Sequence, residues 1–256
     1  RRILTVGDGD LSFSRALRRA LPHRCKLTAT THLSRAELDG AYGKESTSGT
    51  VAELEAAGAR LEHGVDATVL EPVPTGAPFD RIIFNFPCVA SSIGDASADG
   101  QNAELESNRA LLIAFFARAH ALLAPGGEVH VAHKTKGAFR QWGVLDLAAK
   151  GAPALKYQGR LVFDPALYVG YAPRKVSTSA GSFPTGDAVV YIWRRAGESE
   201  APPTLGLQAG QCGDDEAHCM FDHTEAELTH LCRQEAARLA AQRATAKRRA
   251  KKGVLS

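Results

Sequence analysis

A disulfide framework is absent from this sequence. Its five cysteines, Cys25, Cys88, Cys212, Cys219 and Cys232, are odd in number and irregularly spaced, a pattern that implies a reducing, intracellular compartment. A standard zinc site is absent too. Cys212, Cys219, His223, His230 and Cys232 fall near one another, but Cys-x6-Cys is not finger spacing and no metal is expected. Long apolar runs are also missing: the most apolar stretch, Ala110 to Ala124, is interrupted by Arg118 and His120 and is too short to cross a bilayer. There is no internal repeat and no initiator methionine. The chain opens on Arg1-Arg2 inside an expected strand, which leaves room for a leader or targeting segment ahead of it.

What is present suits a globular α/β chain. The 256 residues are 44% hydrophobic, enough for one large domain with a real core and an appendage. Short β-type runs at Ile3–Val6, Lys26–Thr31, Arg60–Gly64, Arg81–Phe86, Glu128–Ala132, Leu161–Phe163 and Ala188–Trp193 alternate with helical stretches. The helices are expected at 11–21, 51–57 and roughly 107–123, the last placing Leu111, Phe115, Ala119 and Leu122 on one face. Pro125-Gly126-Gly127 stops it. Strand alternating with helix predicts a mainly parallel seven-stranded sheet covered on both faces, with an antiparallel hairpin at one edge. Residues 1–195 form the expected domain, 196–223 a Gly-, Pro- and Glu-rich linker, and 224–256 a basic helix and tail opened by Thr224 with Glu227 at capping-box spacing.

The net charge of +3 conceals an uneven distribution. Arg233, Arg238, Arg243, Lys247, Arg248, Arg249, Lys251 and Lys252 face the single acid Glu235, which suits a polyanion partner or a nuclear address, a solvated helix end being the alternative.

Chemistry gathers at strand ends. Gly7-Asp8-Gly9-Asp10 breaks the first apolar run before a helix, where an open α/β sheet binds nucleotides and helix-terminal N–H groups face the ligand. Ser12 stands where a dinucleotide fingerprint would have its third glycine, so a pyrophosphate cradle is the weaker reading. Acidic and hydroxyl side chains there suit a ligand with a ribose and a charged amino acid tail, which describes S-adenosylmethionine. After the third strand, Val65-Asp66-Ala67-Thr68 offers an acid and a backbone N–H to an adenine ring. Phe84-Asn85-Phe86-Pro87, at the end of the fourth strand, faces the glycine loop. It is similar to the Asn-Pro-Pro-Tyr type motif of nitrogen methyltransferases, in which an amide orients the target nitrogen and an aromatic ring stacks on the base.

These segments, with Thr28-Ala-Thr-Thr31, Asn108-Arg-Ala-Leu-Leu112, Val131-Ala-His-Lys-Thr135, Tyr168-Val-Gly-Tyr171 and Ser182-Phe-Pro-Thr-Gly186, resemble the Rossmann-like domain of the 25S ribosomal RNA (uridine-N3)-methyltransferases over about residues 2 to 195. The resemblance implies a class I methyltransferase fold and methyl transfer from S-adenosylmethionine to N3 of a large-subunit uridine, in the nucleolus and nucleus, by a monomer. It implies cofactor contacts from Gly7, Asp8, Gly9, Asp10, Ser12, Phe13, Thr30, Asp66 and Ala67. Asn85, Phe86 and Pro87 would hold the flipped base, and His133, at the end of the fifth strand, is placed to accept the N3 proton. Lys134, Lys136, Arg174 and Lys175 could hold RNA phosphates, with solvated loop charges as the competing reading.

The chain departs from the family pattern in two places. His32-Leu33-Ser34 occupies the position of an acid that could hold the ribose hydroxyls, and Cys88-Val89-Ala90-Ser91 replaces a histidine and a nearby glycine after the base motif. The first departure keeps open an alternative from another class, a non-catalytic RNA-binding assembly factor that retains the fold. A nicotinamide-dependent oxidoreductase is disfavoured by Ser12 and by the Asn-Phe-Pro loop.

Overall fold

The structure is a computed structural model that describes residues 1–21, 24–71, 73, 78–89, 98–171, 173–174 and 183–197. Seven strands, β1 (Arg2–Val6), β2 (Lys26–Thr30), β3 (Arg60–Glu62), β4 (Phe79–Asn85), β5 (Leu123–Lys134), β6 (Leu155–Val162) and β7 (Ala188–Arg195), form one sheet in the order β3-β2-β1-β4-β5-β7-β6. The first five pair in parallel, and β7 runs antiparallel to both β5 and β6. This is the class I methyltransferase Rossmann-like arrangement expected from the sequence. The last two strands form the antiparallel pair expected at one edge, but in an order the sequence did not set. β7 inserts between β5 and β6, which leaves β6 at the edge.

Among the described residues five α-helices flank the sheet: α1 (Ser12–Ala20), α2 (Arg35–Tyr42), α3 (Lys44–Ala56), α4 (Ala98–Leu122) and α5 (Val144–Gly151). The expected face of α4 is the buried one, with Leu111, Leu112, Phe115, Phe116 and Ala119 packed into the core against β4, β5 and Trp193. The helix begins nearer the chain start than the sequence periodicity showed, and β5 follows Leu122 without a gap. Two helices, α2 and α5, went unanticipated, and α3 extends the stretch expected at 51–57 back to Lys44. α2 is opened by a full capping box, with Ser34 Oγ accepting from the Glu37 amide and the Glu37 carboxylate accepting from the Ser34 amide. The first turns of α3 are rich in Ser, Thr and Gly, which disfavour helix. Thr47 and Thr50 are nevertheless buried there, and each hydroxyl bonds back to a carbonyl of its own helix.

Below the core, β4, β5 and β7 share an ionic knot. Glu128 accepts from Arg81 (2.6 Å), Arg194 (3.1 Å) and His130 Nε2 (3.0 Å). The two guanidiniums and the imidazole hold the Glu128 carboxyl far below the ordinary range against the cost of its burial, and burial pushes His130 down to about 4.

No helix among the described residues is long and apolar enough to cross a membrane, and no group of three His, Cys, Asp or Glu among them could hold a metal. The expected linker at 196–223 lies outside the described residues apart from its first two. The basic helix at 224–256 and the Cys and His residues from Cys212 to Cys232 lie wholly outside them.

Candidate active site

The sheet order fixes where a ligand can sit. β1 is flanked by β2 on one side and β4 on the other, so the crossovers diverge there and leave a crevice beyond the carboxyl ends of the strands. The β1–β4 register pairs Val6 with Phe84, which sets Gly7 beside Asn85 at the lip of that crevice. A cavity of about 360 Å³ opens there. Its wall takes Gly7, Asp8, Gly9 and Asp10 from the β1 loop, His32 from beyond β2, Asp66 and Ala67 from beyond β3, and Asn85, Phe86 and Cys88 from beyond β4.

Both glycines of the first loop are required by space. Gly7 has φ +62°, and a Cβ there would stand 2.7 Å from the Phe84 ring; a Cβ on Gly9 would stand 2.7 Å from the Tyr42 hydroxyl. The loop is tied to β2 at two points: the Asp8 amide donates to Thr30 O (2.9 Å) and Thr31 Oγ1 donates to Gly9 O (3.3 Å). Asp8 Oδ2 accepts from the Ser14 amide (2.7 Å) and the Ser14 hydroxyl (2.6 Å). Burial and the neighbouring Asp10 carboxylate outweigh those bonds and raise Asp8 to about 7. Arg174 pairs with Asp10 at 3.3 Å. Tyr171 joins the wall and packs edge-on against Phe13, its hydroxyl pushed well above the usual range by burial and by Asp8 and Asp10.

Across the crevice, Asn85 Nδ2 is buried and has no hydrogen-bond partner among the described residues. An amide donor left unpaired in a partly enclosed polar cavity is costly unless a ligand or solvent meets it. Phe86 adopts φ +51°, a strained value for a side-chain-bearing residue, while its amide donates to Ala132 O. Its ring lies edge-on to Phe163 and Phe183, each at 5.0 Å. Pro87 is buried behind this turn. Asp66 is exposed at the opposite end, one oxygen accepting from the Thr68 amide and hydroxyl.

Residues 4–175 match the BMT5-like family, described as rRNA (uridine-N3-)-methyltransferase BTM5-like. The chain belongs to this family. It has the fold of an rRNA methyltransferase. Among relatives, it is 34% identical over 175 residues to heavy metal-associated isoprenylated plant protein 41 of Arabidopsis thaliana, covering 68% of this chain and 32% of that protein. It is 30% identical over 200 residues to an uncharacterized Arabidopsis thaliana protein, covering 76% of this chain and 93% of the other. The chain thus spans about a third of the first relative and nearly all of the second. Among solved structures, TrmN from Thermus thermophilus aligns with a TM-score of 0.47 at 16% identity, over 76% of this chain and 43% of that one.

Against this family frame, the cavity brings together Gly7, Asp8, Gly9, Asp10, Phe13, Asp66, Ala67, Asn85, Phe86 and Arg174 of the residues expected to form the site. Others sit elsewhere. Thr30 is fully buried and donates to Thr5 O, a bond that sews β2 to β1. Ser12 is buried at the start of α1, off the cavity wall, with its amide bonded to Asp10 Oδ1.

The expectation for His133 is corrected by its position. Its ring is packed against Phe139 and Trp142, off the cavity wall, with Nδ1 donating to Lys134 O at 2.8 Å. Burial holds its pKa down at about 4. Lys134 is likewise committed: Nζ lies 5.0 and 5.1 Å from the Phe139 and Phe183 ring centres and 3.6 Å from Asp187. Lys136 is exposed, and Lys175 lies outside the described residues. The sequence reading passed over Tyr42 and Tyr171 as wall residues, and treated His32 and Cys88 only as departures. Tyr171 had a signal, because the Tyr168-Val-Gly-Tyr171 motif follows a strand whose carboxyl end reaches the same edge.

Proposed function

We propose that this chain is the catalytic domain of an S-adenosylmethionine-dependent methyltransferase that modifies N3 of a uridine in large-subunit ribosomal RNA, acting as a monomer in the nucleolus. The observation that carries the reading is that Asn85, whose amide nitrogen is buried without a partner among the described residues, lines one cavity together with the glycine loop.

The residues present fit the cofactor. Gly7 and Gly9 clear the space a backbone-hugging ligand needs, Asp8 and Asp10 offer negative charge to an amino acid tail, and Asp66 with the Ala67 amide suits an adenine edge. The bound cofactor supplies an electrophilic methyl group. The chain's own part is chiefly positioning. Asn85 donates through Nδ2 to a base carbonyl, which fixes N3 in line and favours loss of its proton to solvent at the open mouth of the cavity, so that the deprotonated nitrogen attacks the methyl carbon as the carbon–sulfur bond breaks. Phe86, buttressed by Phe163 and Phe183, gives the base a wall to rest on. Water is kept from the methyl-bearing end by Tyr171 and Phe13.

The test is incubation of the protein with S-adenosylmethionine and large-subunit rRNA, followed by mass spectrometry of digested nucleosides and mapping of reverse-transcriptase stops. A 3-methyluridine that appears with the wild type and falls at least about a hundredfold with Asn85→Ala, cofactor binding being retained, is the expected result. Unchanged methylation in that variant refutes the assignment. A second reading, an RNA-binding assembly factor without catalysis, draws support from His32 and Leu33 standing where a ribose-holding acid was expected. No calorimetric binding of S-adenosylmethionine at millimolar ligand would decide for it.

A further inference from the structure

β6 runs parallel to β5, since both are antiparallel to β7, so Val162 ends at the same sheet edge as β1 and β4. The chain therefore leaves β6 at the ligand edge and re-enters β7 from it. Between them lies a knuckle built on Pro165–Leu167 and closed by Tyr171.

Its two tyrosines are anchors. Tyr168 is 3% exposed, stacked on Phe163 and packed 4.8 Å from Phe13, and Tyr171 lies edge-on to Phe13. Asp164 caps the turn by accepting from the Ala166 amide at 2.8 Å. Beside the first anchor the side chains turn outward: Val169 is 74% exposed and Leu167 40%. A rigid turn that presents apolar side chains to solvent beside a cavity mouth pays for no packing of its own.

The flank of the knuckle is cationic. Arg15 donates to Gly170 O at 3.4 Å, and the Arg19 guanidinium stands 3.4 Å from where a Cβ on Gly170 would be. Arg15, Arg18 and Arg19 line a second cavity of about 180 Å³ with Glu53 as its one carboxylate, which pairs with Arg19. Arg18 is buried and bonded to the Cys25 and Leu21 carbonyls and Arg19 is paired with Glu53, but with Arg15, whose partners Thr50 and Gly170 are neutral, they leave this groove net positive. An apolar tip beside a cationic groove, next to a cavity sized for a base, complements a nucleic-acid strand: base faces for the tip and phosphates for the groove.

We infer that the Pro165–Tyr171 knuckle is the docking contact for the single-stranded RNA that adjoins the target nucleotide. Val169 meets the face of a neighbouring base and so helps hold the stack open, while Arg15 and Arg19 take the adjoining phosphate. This rests on the reading that RNA is the substrate, but it concerns a surface outside the cofactor cavity.

The experiment compares wild type, Val169→Ala, Val169→Asp and Arg19→Gln as full chains. Affinity for a fluorescein-labelled twelve-nucleotide oligouridylate and for a large-subunit rRNA transcript is measured by anisotropy and filter binding over a salt series, with melting temperature and calorimetric cofactor affinity alongside. Val169→Ala should weaken RNA binding about tenfold with its salt slope unchanged, the loss expected for an apolar contact of two methyl groups. Val169→Asp should weaken it further. Arg19→Gln should lower the salt slope by about one. Melting temperature and cofactor affinity should stay at wild-type values.

RNA affinity unchanged in both Val169 variants overturns the inference, even where the wild type methylates RNA. Conversely, a wild type that binds RNA through Val169 but transfers no methyl group leaves the inference standing while the proposed activity fails. A Val169→Asp variant that changes the sedimentation of the free protein from dimer to monomer, with RNA affinity intact, also overturns it, because the knuckle would then be a contact between copies.

Discussion

Cofactor affinity should rise with pH through neutrality, and Asp8 is the reason. Its carboxyl is raised to about 7 by burial and by Asp10, yet the ammonium group of the amino acid tail of S-adenosylmethionine favours the ionised form. If only ionised Asp8 binds tightly, the apparent dissociation constant is the intrinsic one divided by the ionised fraction. That fraction is about 0.1 at pH 6 and about 0.8 at pH 7.5, so binding should tighten about eightfold over that interval, or ~1.2 kcal/mol. The interval stops below the range in which a free amino group loses its own proton, about 7.7 to 8.0.

Near pH 7, binding should also release about half a proton, which calorimetry in buffers of different ionisation heat reads directly. Other groups face the same space. Asp10 is paired with Arg174, the Tyr171 hydroxyl is pushed well above its ordinary range, and burial moves His32 down. Asp8→Asn separates them, because it should hold affinity near the wild-type acid-pH value at every pH. An eightfold pH dependence that survives in Asp8→Asn, or affinity that weakens between pH 6 and 7.5, refutes the reasoning.

Gly7→Ala should destabilise through two independent costs, a positive φ worth about 1–2 kcal/mol and a Cβ forced against Phe84, whereas Gly58→Ala, at φ +75° with nothing within 4 Å, should show only the first. Thermal melts should place Gly7→Ala several degrees below Gly58→Ala; equal melting temperatures would remove the contact argument. Stability should also fall as pH drops from about 6.5 to about 4, because His130 and His133 are neutral when folded while their unfolded forms take up protons first, at about 3 kcal/mol each. Asp8 has the opposite sign, its stabilising protonation being complete below about 4 and lost as pH rises through 7. Asp8→Asn should therefore lose more stability than wild type over the acid range in denaturant titrations, and a smaller loss would show the sign to be wrong.

Much of the fold was legible because parallel strands buried on both faces read as apolar runs: β1, β2 and β4 stand near the expected positions. β6 was seen only at its end, since its exposed Lys156, Tyr157 and Gln158 carry no alternation and it becomes a strand through pairing with β7. The Ser34–Glu37 capping box was a local signal for α2 that the apolar pattern, with Leu38 its one buried residue, did not reinforce. Strand-end motifs located the cavity, because the carboxyl edge of the sheet collects them whatever the side chains are. The direction a side chain takes was not legible. His133 and Lys134 follow the same strand as the base motif's neighbour, and only the packing of Phe139, Trp142 and Phe183 turns them away from the cavity.

Among the described residues β7 is the last strand to be synthesised and the sole partner of β6 in the sheet. A nascent chain can thus assemble β1 to β5, with the glycine loop and Asn85 already in register, while β6 still has no neighbour. The knuckle, Tyr171 and Arg174 hang from that unpaired strand. During synthesis the protein passes through a stage with a formed cofactor half and an open rim, and the arrival of Ala188–Arg195 closes the rim and seats the edge strand in one event. This strand therefore acts as a quality gate: a chain that fails to deliver it has a crevice without its rim.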